Sequence, residues 1–337
     1  MPGPDEQTGP VPPAAVLAVD GGNSKTEVAL VGWDGRVLAA VRGPGASQEV
    51  YGVAGALERL AELVRAVADQ ASLDPAVTLA GHACACLAGA DLPEEEAALT
   101  AALAARGWAR SATVLNDTFA VLRAGVDDPW GVAVTCGAGM NCVAVGPDGQ
   151  TARYLAHGRL TGDWGGGRVL AQAVMWHAMR GWDGRGPATE LGDAAAACFG
   201  LPSVRDVAVA AHRGDLTPAD LHRLTSVLLA VAAAGDPVAR SVVTRQAAEV
   251  AVMAAAAMGR LGLAPAGVPV VLGGGVLESR DPFLLAEIGR ELAAAAPGAL
   301  PRVPGVPPVA GAALLGLDQV AAPAAARQRL LRGYRGG

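Results

Sequence analysis

One pattern occurs twice in the chain and narrows its fold more than any other feature. Residues 16–20, 26–32 and 36–42 are short apolar runs of strand character, and so are residues 131–136, 141–146 and 151–155. In each triplet the first turn is rich in glycine and the second is an Asp-Gly pair, Asp34-Gly35 or Asp148-Gly149, the signal of a tight hairpin. The spacing predicts two antiparallel three-stranded meanders.

After the first meander, Leu57, Leu60, Leu63, Val64 and Val67 recur at helical spacing. A strand is expected over residues 82–87, then a helix opening at Pro93-Glu94-Glu95-Glu96 with its acids in the first turn. A strand over 112–116 and a short helix over 117–124 follow. After the second meander come a long helical region, 166–262, broken by loops such as residues 182–187, then a strand over 268–272. Helices over 281–296 and 310–320 complete the pattern. The reading is an α/β chain in which one topological unit is duplicated around a cleft. Its expected domains are residues 14–127 and 128–307. The two ends, 1–13 and the arginine-rich 323–337 with Arg327, Arg329, Arg332 and Arg335, read as a disordered and a basic solvated tail.

Composition excludes several classes. Hydrophobic residues are 52% and charged residues 17% of the 337, which suits a globular chain and argues against disorder. A net charge of −6 and only 4% aromatic residues count against a nucleic-acid surface. No run of eighteen apolar residues and no secretory signal is visible, so the expectation is a cytoplasmic protein without a membrane span. The five cysteines form no CxxC pair. Cys84 and Cys86 alternate along an apolar run, as on one face of a buried strand in a reducing compartment.

The first glycine turn is Asp20-Gly21-Gly22-Asn23-Ser24-Lys25-Thr26, and Lys25 is the single lysine among 26 basic residues. Successive N–H groups in such a turn can cradle phosphate oxygens, and Gly21 and Gly22 allow close backbone approach. Ser24 and Thr26 offer hydroxyls, and Asp20 makes sense beside a phosphate if Mg²⁺ lies between. The alternative is a decorated β-turn. Asn116-Asp117 ends a strand where α/β sheets place ligands, so Asp117 is either a helix cap or a general base toward a substrate hydroxyl.

Three further segments carry the same ambiguity. Gly137-Ala138-Gly139 mirrors the first turn, as a second phosphate grip or a plain hairpin; neither the dinucleotide fingerprint nor a Walker A loop is present. The loop from His157 and Gly158 to Asp163 can hydrogen-bond sugar hydroxyls or serve as a linker. Gly273-Gly274-Gly275 ends a strand and leaves room for a flat ligand, or is an ordinary strand exit.

The order of these motifs resembles the sugar kinase, heat-shock protein 70 and actin superfamily, and within it the BadF/BadG/BcrA/BcrD ATPase family, which includes N-acetylglucosamine kinase. The resemblance spans about residues 15 to 320. It implies two ribonuclease-H-like domains closing on ATP and sugar, with a C-terminal helix, 308–322, packed back on the N-terminal domain. It assigns Asp117 as the base for the 6-hydroxyl of N-acetylglucosamine or glucosamine, and Asp20 as the Mg²⁺ residue. It gives the phosphates to the turns at residues 21–26 and 137–139, and the adenosine to residues 273–275. Ser47, Asn116, Asn141, His157, Gly158 and Asp163 would meet the sugar, and a homodimer is implied. The chain departs from the family at Ala46-Ser47-Gln48, at Ala138 in place of Thr, and at Asp163-Trp164-Gly165. Other readings are an ATPase activase of an acyl-CoA dehydratase, which would need an iron–sulfur cluster on cysteines, and a non-catalytic sugar sensor. A type III pantothenate kinase matches residues 20–24 alone.

Overall fold

The computed structural model describes residues 11–263 and 267–335, so residues 1–10 of the expected N-terminal tail lie outside the described residues. The chain divides into two units, Met1–Ala124 together with Gly305–Gly337, and Gly125–Pro304.

In the first unit β1 (Ala14–Gly21), β2 (Lys25–Val31) and β3 (Val37–Pro44) form an antiparallel meander. β4 (Ala80–Leu87) and β5 (Ala109–Asn116) add in parallel on the other side of β1, giving the order β3-β2-β1-β4-β5. Every residue of β1 is buried, as expected for a strand covered on both faces. Side chains alternate with period two, so the two faces make separate cores. Leu17, Val19, Val28 and Leu30 pack with Leu57, Leu60, Val64 and Val67 of the helix Gln48–Gln70. Val16, Ala18, Cys84 and Cys86 pack with Ala312, Ala313 and Leu317 of the helix Pro308–Gln319. The alternate-residue cysteines thus sit on one buried face.

The second unit repeats this topology strand for strand. β6 (Gly131–Cys136), β7 (Met140–Val145) and β8 (Thr151–Arg153) are an antiparallel meander, and β9 (Val268–Gly273) and β10 (Ala299–Arg302) run parallel to β6, in the order β10-β9-β6-β7-β8. β10 is not apparent from sequence: Ala-Leu-Pro-Arg has little strand character, and Pro301 is tolerated because the strand lies at the sheet edge. Helices inserted between β8 and β9 cover the sheet, chiefly the long helix Pro237–Arg260 through Val242, Val243, Ala247, Val250 and Ala254.

Two terminal expectations need correction. Pro12 is buried and its carbonyl accepts a 3.1 Å bond from Trp33 Nε1, so order begins before residue 14. The expected basic tail is the helix Ala324–Arg335, which buries Ala326 and Leu330, one helical turn apart, in the core beneath β1. Arg329 pairs with Asp34 at 2.6 Å and Arg327 with Asp318 at 3.2 Å, so half of the tail's charge holds it to its own unit. Among the described residues no single helix is long and apolar enough to cross a membrane.

Candidate functional site

In the first unit the parallel strands β1, β4 and β5 end together. Asp20 lies in register with Cys86, and Cys86 with Leu115. Asp20, 8% exposed, falls on the face shared with Ala18 and Cys86. The Cys86 thiol is held well above its usual pKa by its hydrogen bond with the Cys84 thiol, by burial, and by the negative charges of Cys84, Asp20 and Asp117. Asp20 thus lies in register beside this buried thiol at the carboxyl end of the sheet, where ligands of open α/β sheets bind.

Asp117 opens the helix Asp117–Gly125. Its position is set by Asn116, whose Oδ1 accepts the Thr118 N–H at 2.9 Å and whose Nδ2 donates to Asp91 Oδ1 at 2.8 Å. The Asn116 N–H donates to Glu96 Oε1 at 2.8 Å. Asn116 and Asp91 are both buried, whereas Asp117 keeps partial exposure. Burial of its carboxyl lifts the Asp117 pKa to about 6; hydrogen bonds from Thr118 oppose the rise and the charge of Glu49 adds to it. A carboxylate with that pKa is ionised at neutral pH and far more basic than an exposed one.

The first glycine turn closes with Gly22 N–H donating to Lys25 O at 2.9 Å. Among the described residues the Asn23 and Ser24 N–H groups donate to no protein acceptor. Gly21 packs closely on Leu87: a Cβ there would stand 2.5 Å from Leu87 Cδ2, so that side chain would have to shift. Thr26 is fully buried and, among the described residues, its hydroxyl has no hydrogen-bond partner. Ser47 is fully buried too and caps the helix Gln48–Gln70 by accepting from Glu49 N–H at 3.2 Å. One lone pair of its hydroxyl is thus used by the chain, and the neighbouring Gln48 side chain donates to the Gly89 carbonyl.

In the second unit three glycine segments converge. The hairpin at residues 137–139 joins β6 to β7, and Gly137 N–H donates to Gly139 O at 3.0 Å. Gly274, at φ +82°, lies on the Cys136 backbone so closely that a Cβ would stand 2.6 Å from its carbonyl. The sequence-expected groups at residues 137–139 and 273–275 are therefore neighbours. The third segment, Gly165-Gly166-Gly167, leads into the helix Gly166–Trp182, whose start matches the helical region expected from residue 166.

That helix orients the hairpin. Its Gly167 and Arg168 N–H groups donate to the Gly137 and Ala138 carbonyls at 2.8 and 3.0 Å. In a trans peptide the C=O and the following N–H point in opposite directions. The Ala138 and Gly139 N–H groups are thereby turned away from the helix, and among the described residues they donate to no protein acceptor. Gly137 and Gly139 have open space where a Cβ would stand. Two outward donors on an unobstructed backbone are groups that can hydrogen-bond an anion.

The remaining expected residues lie on β7 and in one compact loop. Asn141 faces Thr135 in register, and its side-chain oxygen accepts the Cys142 N–H at 2.7 Å. The Thr161 hydroxyl accepts from His157 N–H at 2.9 Å and donates to Asp163 Oδ2 at 2.7 Å, and Asp163 N–H donates to Gly158 O at 3.0 Å. His157 and Asp163 are thus held in one fold of chain, with the His157 side chain exposed. Cys136 and Cys142 are buried in their strands, where burial pushes both thiols far above the usual range.

The BadF/BadG/BcrA/BcrD ATPase family model matches residues 17–316. The N-acetylmuramic acid/N-acetylglucosamine kinase of Clostridium acetobutylicum is 26% identical over 270 residues, 78% of this chain and 86% of that protein. The crystal structure of a candidate N-acetylglucosamine kinase from Chromobacterium violaceum superposes with a TM-score of 0.70 at 24% identity, covering 90% of this chain and all of that one. A ROK family glucokinase from Streptomyces griseus, solved with glucose and AMPPNP, gives 0.58 at 16% identity, covering 89% and 98%. At those identities the two structures establish a common fold.

Proposed function

Because this chain belongs to the BadF/BadG/BcrA/BcrD ATPase family, we propose that it is an ATP-dependent kinase that phosphorylates the 6-hydroxyl of an amino sugar, N-acetylglucosamine or glucosamine. The observation that carries the proposal is Asp117: a carboxylate with a pKa raised to about 6, anchored at a strand end by Asn116. The named relative from Clostridium acetobutylicum supports the sugar class.

In this mechanism Asp117 takes the proton of the sugar 6-hydroxyl as its oxygen bonds to the γ-phosphorus. The bond from that phosphorus to the β,γ-bridging oxygen breaks and ADP leaves, with the proton retained on the Asp117 carboxyl. The backbone donors of Asn23, Ser24, Ala138 and Gly139 grip phosphate oxygens, in keeping with their lack of protein acceptors. The segment 273–275 receives adenosine. His157, Gly158 and Asp163 orient sugar hydroxyls, Asn141 completes that role, and Asn116 acts by holding Asp117.

Asp20 would hold Mg²⁺. A carboxylate at a strand end beside a turn with donors for phosphate suits a hard cation that keeps most of its water and bridges to phosphate. When bound, the ion neutralises phosphate charge. Ser47 would support the sugar side through the start of its helix.

A panel of sugars with ATP and Mg²⁺, read by ADP release, tests the proposal. Release that depends on an amino sugar supports it; turnover with no hexosamine on the panel contradicts it.

A further inference from the structure

Gln246 is the polar exception in the interior of its helix. It sits in Pro237–Arg260 among Val242, Val243, Ala247 and Val250, and is 1% exposed. A buried amide is costly unless its groups find partners. Those of Gln246 do, and the partners all flank the second glycine hairpin. Its Oε1 accepts the Gly166 N–H at 3.0 Å, and its Nε2 donates to Met140 Sδ at 3.2 Å and lies 3.6 Å from Cys136 Sγ. Cys136 and Met140 are the paired residues on which the hairpin at 137–139 stands. Gly166 is the first residue of the helix whose next two N–H groups fix the Gly137 and Ala138 carbonyls.

One side chain thus joins the base of the hairpin to the start of the helix that orients it. The glycines beside it follow from the same packing. At Gly165, with φ at +133°, a Cβ would stand 2.5 Å from Gln246 Oε1 and would also strike Met140 Sδ. At Gly166 a Cβ would strike the Gly139 carbonyl.

We infer that Gln246 is a positioning residue for the nucleotide: it sets the helix start that turns the Ala138 and Gly139 N–H groups outward, and ATP affinity depends on it although it touches no ligand. The inference rests on the kinase reading, in which that hairpin grips phosphate. Simple core packing has a different signature. An apolar side chain of similar size would then serve equally well, and any loss would fall on both substrates alike.

The test is steady-state kinetics of the full chain with each substrate varied in turn, together with calorimetric binding of ADP. Gln246→Leu keeps apolar bulk and strips the Gly166 N–H of its acceptor. It is expected to raise KM for ATP and Kd for ADP about tenfold, with KM for the sugar unchanged and kcat within about threefold. Gly165→Ala pushes on the same atoms from the other side and is expected to give the same split, which keeps the test decisive if Gln246→Leu does not fold. Nucleotide affinity unchanged in a folded variant, or both KM values rising together, overturns the inference while the kinase reading stands. Absence of nucleotide binding in the wild type overturns the reading itself, and the inference with it.

Discussion

Asp91 and Asn116, 25 residues apart in sequence, are joined by a buried hydrogen bond of 2.8 Å from Nδ2 to Oδ1. The bond fixes which way the Asn116 amide faces, so that its oxygen meets the Thr118 N–H and the helix starts with Asp117 at its head. Asp91→Ala removes the acceptor and leaves a buried amide donor short of a partner, a loss of about 1–3 kcal/mol. Thermal unfolding should show that loss. Kinetics should show a lower kcat with KM for ATP unchanged, because the base is misplaced and the phosphate turns are not.

The protonation of Asp117 gives a pH signature. As a base it works ionised, so kcat/KM should rise with pH through about 6 and level off above it. A plateau already reached by pH 5 would mean that an ordinary exposed carboxylate, or none, is the base.

The same shift costs stability. The folded pKa is raised above the unfolded value of 3.8, so the native state binds more protons between about pH 4 and 6. Stability falls as pH rises through that window, and the cost persists at neutral pH. Asp117→Asn should be more stable than the wild type at pH 7 by on the order of 1–3 kcal/mol, and so unfold at a higher temperature, while losing turnover. An equal or lower unfolding temperature would contradict the burial of this carboxyl.

His82 acts with the opposite sign. It is buried, with Nδ1 bonded to Ser111 Oγ at 2.8 Å and Nε2 without a partner among the described residues, and burial lowers its pKa below 6.5. Its contribution is complete above pH 6.5 and is lost as pH falls below that value, because the unfolded chain then binds the extra proton. His82→Gln should flatten the loss of stability between pH 6.5 and 5 in denaturant titrations.

The C-terminal helices are held electrostatically as well as by packing. Arg123 is 5% exposed and its Nε meets Asp318 Oδ2 at 3.1 Å, with Arg327 on the other oxygen. Asp318→Ala should destabilise the first unit by about 1–3 kcal/mol, since Arg123 and Arg327 both lose the carboxylate they share. Added salt should change this little, in contrast to the exposed Arg36–Asp34 pair.

Most of the two sheets was legible because their signal is local. The apolar runs of β1 to β9 and the Asp-Gly turns sit in the strand sequences themselves, and the matching meanders announced the duplication. β10 was not legible, since Ala-Leu-Pro-Arg pairs only because β9 offers it an edge. The helix Ala324–Arg335 was hidden by its arginines, with Ala326 and Leu330 alone marking the buried side. At the site, glycine turns and strand-end acids are recognisable as types. Their supports are not: Asp91 and Gln246 take their meaning from partners 25 and 80 or more residues away. Ser47 shows the converse, a polar residue beside the site whose hydroxyl caps a helix.

In the proposed reaction Asp117 deprotonates an amino-sugar hydroxyl for attack on ATP. The most direct test of that role is ADP release by wild type and Asp117→Asn at saturating ATP, Mg²⁺ and N-acetylglucosamine or glucosamine, with folding confirmed by thermal unfolding. Sugar-dependent release is expected in the wild type, reduced about 10²- to 10⁴-fold in the folded variant with sugar binding retained. Sugar-dependent release at the wild-type rate in Asp117→Asn would contradict it.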